Sequence, residues 1–357
     1  MNEKQHFIFL DGMRGMAAII VLVFHICQHH EVAAPRFAQL AVDFFFLLSG
    51  FVVAYAYEQR LLNGMGIRRF IAVRLIRLYP MILVGMTMGL AITAARILIV
   101  HDITWLQFLS VAVSSLLVLP SFALPQYLTA YPANMAMWSL TFEILANIVY
   151  VLVIRKLSDG ILIATILLSA VAMVVINYFE GTMLFGGAKY LFIGGLPRIG
   201  FSFSAGILLF RHWKPARHSW GNAAAYGIAV PFCAVLLIIS DVSGWADILL
   251  ILFVLPLVLW AASAVKPQGI TAAACVWLGE LSYPLYAIHD PILRAFRTIR
   301  LKSAFVQNHA IGFLIAEVLL SVAIALLMLK FYDKPVRKWL SGKIARGRMG
   351  QPARQGP

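Results

Sequence analysis

Residues 10–26 read LDGMRGMAAIIVLVFHI, an apolar run that carries Arg14 and His25 in its interior. A helix that spans a membrane needs about 20 mostly apolar residues, and this run reaches that length with its flanks. In a helix, the eleven positions from Arg14 to His25 make about three turns, so both side chains lie on one face, roughly 16 Å apart. A charged side chain inside a span costs about 3 kcal/mol on insertion scales. The stretch therefore predicts a first transmembrane helix with a functional pair of polar residues.

The composition extends this prediction to the whole chain. Of its 357 residues, 62% are hydrophobic and 12% are charged, and the mean hydropathy is +0.87; soluble domains are about one-quarter charged. A transmembrane barrel would show short alternating strands instead. We predict an all-α, polytopic integral membrane helix bundle with about 10 transmembrane helices. The predicted spans are residues 8–28, 38–57, 70–98, 135–154, 160–177, 189–210, 223–240, 245–264, 272–296 and 310–331.

The positive residues predict the orientation of the chain. The net charge is +14, and Lys and Arg gather in short loops and near the C-terminus. The positive-inside rule explains this distribution better than nucleic-acid binding does. Both termini are then cytoplasmic, provided that residues 106–119 form a re-entrant or interfacial segment. We assign residues 1–332 to a transmembrane domain and residues 333–357 to a basic cytoplasmic tail, and expect the first span to be retained rather than cleaved.

One loop departs from this topology. Arg294, Arg297, Arg300 and Lys302 fall on the outer side. They snorkel to the interface, contact an anionic head group or glycan, or indicate an error in the topology at that point; the sequence leaves these alternatives open.

Asp43 is the candidate partner for His25. It lies in AVDFFFLLSGFVVAY (residues 41–55), near the start of the second span, which is its outer end, and at about the depth of His25 if the two spans are antiparallel. Histidine exchanges protons near neutral pH, and a carboxylate can orient the imidazole. Alternatively, Asp43 is an interfacial helix cap. The pair Ser49–Gly50 is typical of a close contact between helices.

A cluster of arginines occupies RRFIAVRLIRLYP (residues 68–80). Arg74 and Arg77 are three residues apart and share one helical face. Because guanidinium groups bind phosphate, the pair suits a phosphorylated ligand, and Arg69 lies close by in sequence. The alternative is a basic cluster at the membrane surface that only fixes the topology.

The fourth span carries a carboxylate. It begins MAMWSLTFEILANIVY (residues 135–150), and an intramembrane Glu143 is a functional candidate. Glu143 could equally neutralise Arg14 or Arg74. The neighbouring Trp138 and Ser139 are either substrate contacts or an interfacial aromatic and a packing residue.

The ninth span contains LGELSYPLYAIHDPIL (residues 278–293). Pro284 and Pro291 predict a kink or an end of the helix. Tyr283 is either a substrate contact or an ordinary interfacial aromatic. For His289 three roles are open: catalysis, substrate binding, or a structural role.

Signatures of several other classes are missing from the sequence. It has no GxSxG elbow, no P-loop and no HExxH. The three cysteines have no metal-ligand spacing. We predict no metal and no nucleic-acid partner.

Five segments in this order resemble the membrane acyltransferase-3 family. They are LDGMRGMAAIIVLVFH, VDFFFLLSGFVVA, RRFIAVRLIRLYP, WSLTFE and LGELSYPLYAIHDPI. The resemblance implies transfer of an acyl group, most often acetyl, from cytoplasmic acyl-coenzyme A to a hydroxyl of an extracytoplasmic glycan. Exopolysaccharide and lipopolysaccharide are the acceptors that we expect first. It also implies location in a bacterial cytoplasmic (inner) membrane.

The family motifs assign roles to residues of this chain. The Arg-x10-His motif falls on Arg14 and His25, and the Arg-x-x-Arg pair falls on Arg74 and Arg77. The Trp-Ser element with its later Glu falls on Trp138, Ser139 and Glu143.

A mechanism follows as a hypothesis. Arg74 and Arg77, with Arg69, hold the coenzyme A phosphates. His25, oriented by Asp43, acts as base on the acceptor hydroxyl or carries the acyl group transiently. The catalytic candidates also include Arg14 and Glu143, and the substrate-binding candidates are Trp138, Ser139, Tyr283 and His289.

The expected partners are the lipid bilayer and a glycan or lipid-linked glycan acceptor. Some family members carry a fused extracytoplasmic hydrolase-like domain, which we do not find in this sequence. Either the membrane part completes the transfer, or a separate extracytoplasmic transferase does.

The alternative function is a proton-coupled transporter or glycolipid flippase that uses Arg14, His25 and Glu143 as a relay. Such transporters often have duplicated halves, and no such repeat is evident here.

Overall fold

The computed structural model describes residues 6–183, 185–214, 219–239, 244–302 and 310–346. Helices and their connecting loops make up this part of the chain. Short π-helical stretches at Leu250–Val254 and Leu329–Asp333 connect consecutive helices. The α-helices are α1 (Ile8–His29), α2 (Ala41–Leu62), α3 (Ile67–Ile99), α4 (Trp105–Leu116), α5 (Met137–Val153), α6 (Asp159–Glu180), α7 (Gly195–His212), α8 (Asn222–Leu236), α9 (Gly244–Leu249), α10 (Leu255–Ser263), α11 (Gly269–Lys302), α12 (Ala310–Met328) and α13 (Lys334–Arg346).

The prediction of a polytopic helical membrane bundle is confirmed. Within the described ranges, 7 helical segments are long and apolar enough to cross a membrane. The remaining predicted spans correspond to α5 and α8, of 17 and 15 residues, and to α11, which has 34 residues and continues through both of its prolines. Helix α4 covers most of the predicted re-entrant segment, and its 12 residues are too few to cross a bilayer core as a helix.

Two tightly packed helix pairs form the centre of the bundle. Helix α1 packs along α11, and α2 packs along α7. Glycines allow this close approach: a Cβ on Gly15 would lie 2.3 Å from the carbonyl oxygen of Leu278, and one on Gly50 would lie 2.1 Å from that of Phe203. Small residues at helix contacts are typical of membrane proteins. The prediction of a close contact at Ser49–Gly50 is confirmed for the glycine.

The C-terminal helices continue from the last span. Helix α12 leads through the π-helical stretch Leu329–Asp333 directly into α13, which packs against α3. The predicted division between residues 332 and 333 therefore falls inside a continuous helical segment. Residues 347–357 of the predicted tail lie outside the described residues.

The arginines that departed from the charge pattern make contacts within the protein. Arg294 donates from its guanidinium to the carbonyl oxygens of Pro132 and Ala133, in the loop between α4 and α5. Arg300 donates to the carbonyl oxygen of His29 at 2.6 Å. These hydrogen bonds fix the end of α11 to α1 and to that loop, which gives these charges a structural function. The side chain of Lys302 lies outside the described residues.

Candidate active site

Glu143 lies at the centre of the bundle and accepts two hydrogen bonds on the same oxygen. Ser49 Oγ donates to Glu143 Oε1 at 2.8 Å, and Arg74 Nη2 donates to it at 3.0 Å. The side chains of Arg74 and Glu143 are 8% and 16% exposed. Of the two predicted partners of Glu143, the structure therefore selects Arg74. These groups line a central cavity, which we call the Glu143 cavity.

Arg14 connects α1 to α11. Its Nε donates to Ser282 Oγ at 2.9 Å, and its Nη2 donates to the carbonyl oxygen of Gly279 at 3.0 Å. The guanidinium also lies 2.9 Å from Asp11 Oδ1. The buried charge is thus compensated by a carboxylate one helical turn away, and it remains at the edge of the Glu143 cavity.

Arg77 differs from Arg74 in its surroundings. Its side chain is exposed, and within the described residues it has no hydrogen bond or ion pair. It lines both the Glu143 cavity and a second one, the Arg77 cavity, whose wall includes Asp333 and Arg337. Arg74 is buried against a carboxylate and Arg77 is not, and the expectation that the two arginines bind phosphate together stays a prediction. Arg77 has its whole guanidinium available, whereas Arg74 uses Nη2 on Glu143 and keeps a buried Nε without a hydrogen-bond partner.

Arg69 lies away from these two residues. Its side chain is exposed near the start of α3, and it lines none of the three cavities described here. The structure does not place Arg69 with Arg77, so its predicted contact with a cofactor has no geometric support.

His25 and His289 lie against each other at the other end of α1. Their rings are stacked, with centroids 5.2 Å apart. His25 Nδ1 lies 3.0 Å from Gln28 Oε1, and His289 Nδ1 lies 2.7 Å from the carbonyl oxygen of Tyr286. Since both partners are acceptors, each Nδ1 carries the proton and each Nε2 is the basic atom. His289 Nε2 is buried without a hydrogen-bond partner.

The prediction that Asp43 orients His25 is wrong. Asp43 instead forms a two-point ion pair with Arg198 of α7, with Nε–Oδ1 and Nη2–Oδ2 distances of 3.1 and 2.6 Å. The pair is buried, because a guanidinium and a carboxylate can remain together in an apolar bundle only when they satisfy each other. The polar atom beside His25 is an amide oxygen, that of Gln28.

Trp138 and Ser139 lie near each other but contact different groups. The guanidinium of Arg198 lies 5.1 Å from the Trp138 ring centroid, and Gly186 is so close to this ring that a Cβ would lie 2.4 Å from it. Ser139 Oγ and the Tyr286 hydroxyl share a hydrogen bond of 2.6 Å. Trp138 lines a third cavity, the His25 cavity, whereas Ser139 lines the Glu143 cavity.

The three cavities follow one another through the bundle. The Arg77 and Glu143 cavities share Arg14, Arg77 and Tyr283, and the Glu143 and His25 cavities share Val42 and Tyr286. Their volumes are about 370, 90 and 240 Å³ in this order. The cavities are therefore neighbours, and the Glu143 cavity, the smallest of the three, lies between the other two.

Two loops cover the His25 cavity. The loop between α4 and α5 and the loop between α6 and α7 are joined by a hydrogen bond from Ala130 N to the carbonyl oxygen of Gly187, at 3.0 Å. Lys189 Nζ donates to the carbonyl oxygen of Leu124, and burial lowers the pKa of this lysine. Thr129 and Gly187, from the joined loops, both line the cavity.

The comparison with protein families agrees with this architecture. A family model for the acyltransferase-3 family, described as an acyltransferase domain, matches residues 7–330. The chain belongs to the acyltransferase-3 family. The chain is 39% identical over 88 residues to a Rhizobium radiobacter protein named "Protein 2 in picA locus". The matched segment is 24% of this chain and 46% of that relative, so the chain spans just under half the length of the relative. No solved structure matches the chain.

Sequence reasoning missed three buried contacts between a carboxylate and a basic side chain. Each contains a charged residue inside a predicted span, and the high cost of such residues in a membrane was the signal that could have identified them. The pairs are Arg198 with Asp43, Asp247 with Arg36, and Glu317 with His30. The sequence identifies Tyr286 only as a polar residue of the ninth span that could be an ordinary interfacial aromatic. Its position between two cavities depends on its contacts with Phe45 of α2 and Ser139 of α5, which no sequence pattern predicts.

Proposed function

We propose that this membrane acyltransferase moves an acetyl group from acetyl-coenzyme A to a hydroxyl of an extracytoplasmic glycan. The observation that carries the proposal is the series of cavities, with an unpaired guanidinium at Arg77 at one end and the basic Nε2 of His25 at the other. The two ends correspond to the two requirements of the reaction, an anion-binding group for the donor and a base for the acceptor.

The donor enters from the cytoplasmic side in this proposal. Arg77 binds phosphate groups of coenzyme A, and the pantetheine arm extends past Arg14 into the Glu143 cavity. The Glu143 cavity is the smallest of the three, and we take the acyl group that it receives to be acetyl. Tyr283 lies between these two cavities and lines the path of the arm.

The chemistry takes place where the Glu143 and His25 cavities meet. His25 Nε2 removes the proton of the acceptor hydroxyl, and the oxygen attacks the thioester carbonyl. The carbon–sulfur bond then breaks, and the thiolate takes up a proton as free coenzyme A leaves. Gln28 keeps the proton on His25 Nδ1 and so leaves Nε2 free to act. A transient acyl group on His25 is the second route, and it would be detected as a labelled protein after incubation with labelled acetyl-coenzyme A alone.

The acceptor occupies the His25 cavity, beneath the joined loops. Trp138 lines it, and an aromatic ring is a suitable surface for a sugar. A glycan or lipid-linked glycan, from exopolysaccharide or lipopolysaccharide, fits the proposal. Transfer is completed by this chain or handed to a separate extracytoplasmic transferase. Both termini are cytoplasmic, and the membrane is the bacterial inner membrane.

The test is acceptor-dependent release of free coenzyme A. Purified protein is placed in liposomes with acetyl-coenzyme A and surface glycan extracted from a strain that lacks the gene. The expected result is thiol release together with new ester-linked acetyl groups on the glycan, detected by mass spectrometry. Glycan-driven proton flux without consumption of acetyl-coenzyme A would support the transporter instead and would overturn the proposal.

A further inference from the structure

Helix α13 forms one wall of the Arg77 cavity. Lys334 and Arg337 line this cavity together with Asp333, the last residue of the π-helical stretch. We propose that α13 is part of the binding site for the phosphate groups of the acyl-coenzyme A donor, with Arg337 and Arg77 as its two guanidinium groups. The inference rests on the proposed function, because it assigns further residues to the donor end of the same path.

The charges around the cavity leave a positive excess. Three of its cations have a carboxylate within ion-pair distance: Arg14 with Asp11, Lys334 with Glu280, and Arg337 with Asp333, at 2.9, 2.8 and 2.8 Å. Arg77 is the fourth cation, and within the described residues it has no ion pair. The cavity therefore attracts an anion.

Arg337 is held in place through one nitrogen of its guanidinium, Nη2, which lies against Asp333. The Asp333 carboxylate is 1% exposed, and Arg337 Nη2 lies 2.8 Å from its Oδ2. Within the described residues Nε and Nη1 of Arg337 have no such contact, so their N–H groups remain available to a ligand. The side chain of Arg337 is 33% exposed, which gives a ligand access to it.

The π-helical stretch explains why the carboxylate is buried at this point. Leu329–Asp333 lies between α12 and α13, and such stretches are frequent at functional sites. It places Asp333 inside the bundle, while Lys334 and Arg337 follow at the mouth of the cavity. Arg77 and Arg337 line the same cavity as Asp333, so cations of α3 and α13 share a cavity with one carboxylate.

Coenzyme A fits such a site. It carries a diphosphate and a further phosphate on its ribose, and guanidinium groups bind phosphate oxygens through paired N–H donors. Two arginines on neighbouring helices can bind separate phosphates. Lys334 is 48% exposed and can exchange Glu280 for a phosphate oxygen.

The experiment measures the dissociation constant of coenzyme A for the full chain in nanodiscs. Arg337→Gln is expected to raise it about tenfold or more, the effect of losing a charge-assisted hydrogen bond. Arg337→Lys should recover part of the loss, and Lys334→Gln should give a smaller increase. The matched control is Lys338→Gln, since Lys338 is exposed on the same helix and does not line the cavity. The unfolding temperature of each variant is measured in parallel.

The outcomes separate this inference from the proposed function. If the wild type binds coenzyme A and Arg337→Gln binds it as tightly as Lys338→Gln does, α13 is not part of the site and the proposed function is unaffected. An Arg337→Gln protein with a lowered unfolding temperature, and without recovery by Arg337→Lys or an effect of Lys334→Gln, would assign a structural role and overturn the inference. A wild type that does not bind coenzyme A would overturn both.

Discussion

Arg198 binds both oxygens of Asp43 through one edge of its guanidinium: Nε lies 3.1 Å from Oδ1 and Nη2 lies 2.6 Å from Oδ2, with both side chains at most 2% exposed. Arg198 also donates to the carbonyl oxygen of Phe185 and lies over the ring of Trp138. The pair therefore links α2, α7 and the loop that covers the His25 cavity, and it determines where Trp138 lies.

Removing one partner of this ion pair should destabilise the protein. Asp43→Ala leaves the guanidinium of Arg198 buried and uncompensated, and the expected loss in the free energy of unfolding is about 3–5 kcal/mol. Thermal unfolding in detergent, followed by circular dichroism, measures the effect. The control is the double variant Asp43→Asn with Arg198→Met, which removes both charges and should recover much of the loss. Equal unfolding temperatures for wild type and Asp43→Ala would show that the pair does not stabilise the fold.

The error about Asp43 shows what the sequence could and could not predict. Hydropathy and charge predicted the helices, because crossing a bilayer imposes a length and a composition on each segment. The cost of buried charge identified Arg14 and Glu143 as residues that need partners. It could not select the partners, since these depend on which helices are neighbours. Asp43 contacts α7 rather than α1, and the sequence of α2 alone does not predict which helix it contacts.

Substitution of the two arginines of the Arg-x-x-Arg motif should have different effects, one on donor binding and the other on stability. Arg77→Gln should raise the KM for acetyl-coenzyme A about tenfold without lowering the unfolding temperature, because Arg77 is exposed and has no partner among the described residues. Arg74→Gln should lower the stability, because it leaves Glu143 buried beside Ser49 without its cation. Kinetics and thermal unfolding of both variants separate the two effects.

A double variant controls for the second effect. Arg74→Gln combined with Glu143→Gln removes both charges and should be more stable than Arg74→Gln alone. If Arg77→Gln lowers the unfolding temperature as much as Arg74→Gln does, the burial and pairing of Arg74 do not distinguish it from Arg77. The assignment of Arg77 to donor binding is then unsupported.

Adding one methyl group between α1 and α11 should displace Arg14. In Gly15→Ala the new Cβ would lie 2.3 Å from the carbonyl oxygen of Leu278, a backbone atom that cannot move without moving α11. The expected cost is about 1–3 kcal/mol of stability, with a loss of transfer activity as the contact from Arg14 to Ser282 lengthens. The matched control is Gly227→Ala in α8, where a Cβ meets nothing within 4 Å and should be neutral or slightly stabilising. Similar unfolding temperatures for the two variants would contradict the close packing of α1 on α11.

His25→Ala should abolish transfer and leave the dissociation constant of coenzyme A nearly unchanged, because His25 lies at the opposite end of the cavities from Arg77. General-base catalysis contributes about 10²–10⁴-fold, so the residual rate should be at most about one-hundredth of the wild-type rate. Gln28→Ala should have a smaller effect, since it removes only the acceptor that keeps the proton on His25 Nδ1. His212→Ala is the control for loss of a histidine, because that side chain is 69% exposed and pairs with Asp159 outside the cavities.

The neighbouring His289 decides how a contrary result is interpreted. Its Nε2 is buried and has no hydrogen-bond partner, so it is the other basic nitrogen near the acceptor. If His25→Ala retains the wild-type rate and His289→Ala does not, the base is His289 and the proposed role of His25 is wrong. If His289→Ala instead raises the KM for the acceptor and leaves kcat within a few-fold, His289 positions the acceptor, since a group that acts only in binding does not change the rate of the bound complex.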